Sequence, residues 1–386
     1  MRRKLMKKTF VLAPDSFKES MSAKTACEAM ERGIRNVLPE VKVIQVPMAD
    51  GGEGTVDALI DGSNGKRIEV VVSGPIPTQK IKTYYGLLED ENTAVIEMAK
   101  ANGIELLAEN KRNPLLTSTY GTGEIIRDAL DKGVKKIIIG IGGSVTNDGG
   151  AGMAQALGAQ LLDKNNKEIS SGGGALSELV KINISKIDPR LKETEVIIAS
   201  DVTNPLTGPN GASFVFGPQK GATPDMVKKL DDNLAHYAKI IQKDLAIDIK
   251  GRAGGGAAGG LGAGLLVFTG AKMESGIDLV IKLTHLEEKI AMADYIFTGE
   301  GGMDFQTKFG KAPYGVAKIA KQYNKPVFAC AGYIGEQVEA LYEEGMTAIF
   351  GILDQANSLK LALEAGETNL ERTVENIVRV LDIEEI

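Results

Sequence analysis

A chain of 386 residues with a formal net charge of −6 is long for a single core and predicts two domains. Its acidic balance argues against nucleic acid or an anionic membrane as partner. No apolar run reaches about 18 residues, so no membrane span is expected, and the basic start MRRKLMKKTF lacks the apolar core of a signal peptide.

In chain order, Thr9–Ala13 (TFVLA) reads as a first strand, followed directly by Pro14-Asp15-Ser16-Phe17-Lys18. A helix is expected over about Ala23–Leu38, with Ser22 as cap and Ala26, Met30, Ile34 and Val37 turned inward. Val41–Pro47 predicts the next strand. It ends in Ala49-Asp50-Gly51-Gly52-Glu53-Gly54-Thr55, with a short helix after it, which completes a βαβ unit. The pattern then changes. Lys66–Val72, Ile81–Leu88 and Ala94–Met98 predict strands of an antiparallel layer, joined by turns that contain Gly74, Pro75 and Pro77. Thr117–Gly123 crowds hydroxyl groups before a helix carrying Ile125, Ile126, Ala129 and Leu130.

The stretch Lys135–Gly158 is the most informative. Val134, Ile137, Ile138 and Ile139 are apolar on both faces, the mark of a buried parallel strand. The strand ends in Gly140-Ile141-Gly142-Gly143-Ser144. Thr146, Asn147, Asp148 and further glycines follow, and then Met153 and Leu157 at helical spacing. Glycines let backbone N–H groups turn toward an anion, and a helix start adds a partial positive charge. Gly142, Gly143, Ser144, Asn147 and Gly149 are therefore candidate phosphate-binding residues, with Asp148 as candidate metal ligand.

Glu195–Ala199 predicts another strand, followed by Ser200-Asp201-Val202-Thr203-Asn204-Pro205. Phe214–Phe216 and Gly217-Pro218-Gln219-Lys220-Gly221 lead to a long helix. Its start is marked by Thr223 as cap, Pro224 in the first position and Asp225 in the first turn. Val227, Leu230, Leu234, Tyr237, Ile241 and Leu245 form its inner stripe, which leaves His236 toward solvent. Gly254–Gly264 is a second glycine cluster. Its G-x-G-x-x-G match follows Lys250-Gly251-Arg252-Ala253 instead of an apolar strand, which argues against a dinucleotide site. Tyr295–Thr298 is a strand with Gly299-Glu300-Gly301-Gly302-Met303-Asp304 after it, and Pro326–Cys330 and Ala348–Ile352 are strands separated by helices. The two ends look alike and the middle differs. The expected fold is α/β, a doubly wound domain built from residues 1–75 and 285–386 with a second α/β domain inserted at 76–284.

There is no G-x-x-x-x-G-K-[ST], H-E-x-x-H or C-x-x-C. With only two histidines, His236 and His285, the latter expected in a first helical turn, a histidine triad or zinc site is excluded. Cys27 and Cys330 stand far apart in apolar surroundings, which predicts reduced thiols and a cytoplasmic protein. What remains is a set of acids, each just after a strand: Asp15, Asp50, Glu53, Asp148, Asp201, Glu300 and Asp304. Lys18, Lys220 and Lys311 lie in the same loops. Carboxylates, lysines and glycine loops with Mg²⁺ suit phosphoryl transfer. Asp201 is the expected base, with Asn204 beside it to hold an oxygen, and Lys18 suits a substrate carboxylate or a phosphate.

These residues carry a resemblance. A13-P-D-S-F-K18, A49-D-G-G-E-G-T55, G140-I-G-G-S-V-T-N-D-G-G150, D201-V-T-N-P-L206, F216-G-P-Q-K-G-A222, T298-G-E-G-G-M-D-F-Q-T307 and G310-K-A-P-Y-G-V-A317 resemble the type 1 glycerate kinase family in order and spacing. The resemblance implies a flavodoxin-like domain with a second domain inserted, and ATP-dependent phosphorylation of D-glycerate, usually at the 2-hydroxyl. Under this reading Asp201, Lys18 and Asp15 are catalytic. Gly142, Gly143, Ser144, Asn147, Gly149 and Lys311 hold ATP, and Asp148 holds Mg²⁺. Ser16, Asp50, Gly51, Gly52, Asn204, Glu300 and Asp304 surround the substrate. Glu19 stands where the family mostly has glycine, Val145 where alanine is usual, and Gly302 where an arginine normally follows Gly-Glu-Gly. The rival reading is a sensor that binds a nucleotide or organic acid without turnover.

Overall fold

Thr9–Leu12 (β1) has Phe10, Val11 and Leu12 fully buried. A strand buried on both faces belongs inside a parallel sheet. In the computed structural model, which describes residues 8–383 except 53, 64 and 357, β1 has a parallel neighbour on either side. The later strands in chain order are β2 (Lys42–Gln45), β3 (Lys66–Ser73), β4 (Lys80–Leu87), β5 (Thr93–Glu97), β6 (Lys136–Gly140), β7 (Gln160–Leu162) and β8 (Lys181–Asn183). They continue with β9 (Glu195–Ala199), β10 (Lys272–Glu274), β11 (Tyr295–Met303), β12 (Val327–Ile334) and β13 (Ala348–Gly351). The chain divides into two compact units. One comprises Met1–Asp50, Asp57–Asn64 and Gly276–Ile386, the other Gly51–Val56 and Gly65–Ser275.

The first unit holds an all-parallel sheet in the order β2-β1-β11-β12-β13. Counted within the unit this is 2-1-3-4-5, a doubly wound order whose direction reverses between β1 and β11. The two strand ends are tied there: Asp15 N donates to Gly299 O at 2.8 Å and Thr298 Oγ1 to Ala13 O at 2.8 Å. β11 was expected to stop at Thr298, but it runs on to Met303 because β12 follows it residue by residue to Met303↔Ile334. The glycine at 299 has a packing reason, since a Cβ would lie 2.2 Å from Cys330 O. The helix Ala23–Val37 starts as expected, with Ser22 Oγ accepting from Thr25 N at 3.1 Å. A Cβ on its Gly33 would lie 2.4 Å from Glu371 O, so glycine lets the helix Gly366–Ile383 pack closely. Met30, Ile34, Phe297, Leu370 and Val374 fill the core beside β1, each contributing on the order of 1.5–3 kcal/mol.

The second unit holds a mixed sheet in the order β10-β9-β6-β5-β4-β3. The three strands expected as an antiparallel layer do pair so, β3 with β4 and β4 with β5, and they continue the parallel strands in one sheet because β5 pairs in parallel with β6 from Thr93↔Lys136 to Glu97↔Gly140. β7 and β8 form a small antiparallel pair that the sequence pattern did not suggest. Thr223 caps the helix Pro224–Leu245 as expected. Val227, Leu230, Leu234, Tyr237 and Ile241 are buried along it. His236 is half-buried instead of solvated, with Nε2 2.7 Å from Leu179 O. His285 stands at the position before the helix Leu286–Met292, not in its first turn. Cys27 and Cys330 are free and buried. Among the described residues no helix is long and apolar enough to cross a membrane.

Candidate functional site

In doubly wound sheets ligands bind beyond the carboxyl ends of the strands, where the order reverses. In the first unit that place is occupied by Asp15 and Glu300. Asp15 keeps part of its surface open, with Oδ1 accepting from Ser16 N at 2.6 Å. Burial of the carboxyl, then the charges of Asp50 and Glu300, push its pKa from 3.8 to about 8. Glu300 is buried. Its Oε1 accepts from Thr307 Oγ1 at 2.9 Å and its Oε2 from Lys311 Nζ at 3.0 Å. Burial pushes this carboxyl up, and Lys311 pulls it back. Lys311, expected to face the nucleotide, is thus engaged within its own unit, by Glu300 and by Gly302 O at 3.1 Å. Asp304, expected at the substrate, caps the turn Phe305–Lys308: its Oδ1 accepts from Gln306 N at 2.8 Å.

Lys18 is exposed and Ser16 half-buried on the loop after β1. Glu19 adopts φ +62°, the conformation glycine takes freely and other residues at a cost of about 1 kcal/mol. At Gly302 an added Cβ would meet only Tyr333, at 3.8 Å. There is room for a side chain, and Lys311 is the cation beside this strand. Removing it by Lys311→Met should leave Glu300 buried against one hydroxyl. A loss of about 2 kcal/mol at pH 7 is expected, below the usual figure for a buried pair because a third of Lys311 is exposed. Thermal melts should show the loss shrinking as pH falls toward 4, because burial favours the neutral form of Glu300.

In the second unit the turn after β6 has two parts. Gly142 and Gly143 are exposed, Gly143 at φ +71°, whereas Ser144 to Gly150 are buried. The backbone of Gly51 and Gly52 crosses this end: a Cβ on Gly140 would lie 2.7 Å from Gly51 O, and one on Gly142 3.3 Å from Gly52 Cα. Asp148 is fully buried. Oδ2 accepts from Thr119 N (2.8 Å), Thr119 Oγ1 (2.9 Å) and Gly152 N (3.2 Å), and Oδ1 from Gly150 N (3.1 Å). A carboxylate served by four donors holds the loop in shape. Asn147 Nδ2 donates to Ser213 Oγ at 2.9 Å, and Gly149 N to Gly259 O at 3.1 Å. The phosphate-binding candidates thus separate into an exposed tip, Gly142 and Gly143, and an anchor beneath it.

Asp201 is exposed after β9. Asn204 is tied to its own loop, Nδ2 donating to Asn210 O at 2.9 Å. The second glycine cluster is a packing device: a Cβ on Gly256 would lie 2.1 Å from Pro205 O and one on Gly259 1.9 Å from Thr146 O. Glu97 was missed. It ends β5 with its carboxylate buried, accepting from Val56 N at 2.7 Å and lying 3.6 Å from Lys100 Nζ. An acid closing the apolar run Ala94–Ile96 was its signal in the sequence. Glu53 lies outside the described residues. Among the described residues no group of three or more His, Cys, Asp or Glu side chains could hold a metal.

A parallel-stranded α/β chain with glycine amides at one sheet end and carboxylates with lysines at another has the make-up of a small-molecule kinase. The glycerate kinase family model matches residues 10–382. Glycerate kinases of Halalkalibacterium halodurans and Haemophilus influenzae are each 50% identical over 372 residues, covering 96% of this chain and 98% of theirs. The glycerate 2-kinase of Escherichia coli K12 is 48% identical over 373 residues, 97% of this chain and 98% of its own. A Salmonella typhimurium LT2 protein crystallised as a candidate glycerate kinase 2 is 47% identical and superposes with a TM-score of 0.88 over 98% of this chain and 99% of that one. The chain belongs to the glycerate kinase family.

Proposed function

We propose that this chain transfers the γ-phosphoryl group of ATP to the 2-hydroxyl of D-glycerate in the cytoplasm. The observation that carries the reading is Asp15, a carboxyl at the β1–β11 reversal whose pKa of about 8 suits a general base near neutrality. The 2-hydroxyl is favoured because the E. coli relative is named a glycerate 2-kinase. Asp15 takes the proton of the attacking hydroxyl. Lys18, exposed three residues on, pairs with the glycerate carboxylate, while Ser16 and Asp50 orient the substrate. The exposed amides of Gly142 and Gly143 face the nucleotide phosphates. Asp201 remains a second candidate carboxylate.

Mg²⁺ is bound by one or two carboxylates together with substrate phosphates more often than by an all-protein cage. Asp50, whose charge acts on Asp15, suits that mode better than Asp148 with its four donors, and Asp15 is left to take the proton. Such an ion neutralises charge on the phosphates.

The test is ADP release with D-glycerate and Mg·ATP, read beside an enolase-coupled assay lacking mutase, which responds only to 2-phosphoglycerate. No ADP above background across several divalent ions would overturn the reading. Activity with no enolase signal would move the product to the 3-position. Lys18→Ala should lower kcat/KM about a hundredfold, roughly 3 kcal/mol. A change under threefold would return Lys18 to the solvated surface.

A further inference from the structure

We propose that Lys220 is a positioning residue for the Gly142–Gly143 turn, holding it in shape from beneath through two donated hydrogen bonds. The proposal rests on the reading that this turn takes the nucleotide phosphates.

Lys220 ends the short turn Pro218–Lys220, and Gly221 follows it at φ +89°. Its side chain runs inward and is 1% exposed. An ammonium group so placed is costly unless it is paired or fully hydrogen-bonded. Among the described residues it makes no ion pair within 4.0 Å. Nζ donates instead to Ser144 Oγ at 2.7 Å and to Thr146 O at 2.8 Å. These acceptors are one and three residues after Gly143, so one side chain pins the turn at two points just below its exposed tip.

The turn is also tied by Ile104 N donating to Gly143 O at 2.8 Å, Val145 N to Asn102 O at 3.0 Å and Thr117 Oγ1 to Val145 O at 2.9 Å, none of which reaches Ser144 Oγ or Thr146 O. Thr146 Oγ1 and Asn147 Oδ1 are buried without a hydrogen-bond partner, as is the Tyr237 hydroxyl on the neighbouring helix. A further anchor, Asp148, acts further along the loop toward Thr119 and Gly152. Lys220 adds the donor that reaches Ser144 Oγ and Thr146 O between those ties.

The chemistry suits hydrogen bonding more than charge. Burial lowers the Lys220 pKa to about 7, with Asp148 raising it against that trend. The ionisable group that acts on it is Asp148, itself a carboxyl that burial pushes up. Arg112, whose backbone packs on Gly221, turns its guanidinium to Leu107 O. A neutral amine has two N–H donors, as many as the two acceptors present. An apolar side chain of similar volume would avoid the cost of burying an ammonium group. A lysine here serves placement: without its donors the Ser144–Thr146 backbone shifts, and the amides of Gly142 and Gly143 lose their aim.

The experiment uses the full-length protein with three variants. Lys220→Met keeps the volume and removes both donors. Ser144→Ala removes one acceptor and leaves the lysine. Gly143→Asp keeps the left-handed turn, which Asp tolerates, and places a negative charge at the tip. Lys220→Met should raise the KM for ATP at least tenfold and leave the KM for D-glycerate within twofold. Hydrogen exchange of the amides at 142–146 should quicken tenfold or more. Ser144→Ala should move both readouts in the same direction by a smaller factor. If Lys220→Met does not fold, Ser144→Ala carries the test. Parent KM and parent exchange in both variants, with ATP binding still lost in Gly143→Asp, would overturn the role of Lys220 and leave the phosphate reading intact. Unchanged ATP binding in Gly143→Asp would overturn the phosphate reading, and hydrogen exchange alone would then decide whether Lys220 holds the turn.

Discussion

Asp15→Asn should lower kcat about a thousandfold, near 4 kcal/mol of transition-state stabilisation, with nucleotide binding changed by less than threefold. The amide keeps the shape and removes the proton acceptor. The same substitution should change stability in a pH-dependent way. The folded-state pKa of Asp15 is raised, from 3.8 to about 8, so its contribution to stability is complete below pH 4 and is lost as pH rises toward 8. The parent protein should therefore lose stability over that window through this residue, and the variant should not. At pH 8 the variant should be the more stable by about 1–2 kcal/mol, less than the full shift implies because Asp15 is partly open to solvent. At pH 3.5 the difference should nearly vanish. Turnover within threefold of the parent would move the base to Asp201. A variant less stable than the parent at pH 8 would show that Asp15 is held ionised by groups other than those around it here.

The second large effect is on stability. Gly259→Ala should cost more than about 4 kcal/mol, measured by urea unfolding, and is expected to abolish soluble expression at 37 °C. A Cβ at 259 would sit 1.9 Å from Thr146 O and 2.7 Å from Asn147 Cα, at φ +67°. Neither contact can be relieved by turning a side chain, since both partners are backbone. Gly251→Ala is the control. It lies near the same cluster with nothing within 4 Å of the added atom, and it should stay within about 0.5 kcal/mol of the parent. A Gly259→Ala protein as stable as Gly251→Ala would mean that the loops around Thr146 can move apart freely.

Local chemistry was legible in the sequence wherever a residue acts on its own neighbours. Ser22 and Thr223 cap their helices because a hydroxyl three residues before a free N–H is a local event. The buried strands β1, β6 and β9 showed through their apolar runs. What the pattern could not show was pairing. β11 passes through three glycines because β12 runs beside it, and no window of the sequence around Glu300 contains β12. In the same way the sequence could show β3, β4 and β5 as antiparallel strands but not their link to β6, which is made across Ala99–Asp131.

The acids posed a different difficulty. Asp15, Asp148 and Asp304 come after strands, and Glu300 lies within β11. Spacing alone cannot distinguish a carboxylate raised toward neutrality from one used by four protein donors, by a lysine or by a turn. Glu97 escaped because it closes its strand without a glycine beside it, although it obeys the same rule of position. Lys220 stood out in sequence only as one lysine of several. Its burial belongs to the fold.

The placement of β1 between β2 and β11 sets the order in which the protein can be completed. Ala13 and Thr298, joined by a hydrogen bond, are 285 residues apart. At about 5–20 residues per second a ribosome takes roughly 15–60 s to make that stretch. During this time Gly65–Ser275 emerges as one continuous piece that already contains every strand of its own sheet. β1, β2 and the helix Ala23–Val37 must wait, with Phe10 and Leu12 lacking the partner that Phe297 later provides. The protein is therefore built from its middle outward. The carboxylates of Asp15 and Glu300 therefore cannot meet before β11 has left the ribosome.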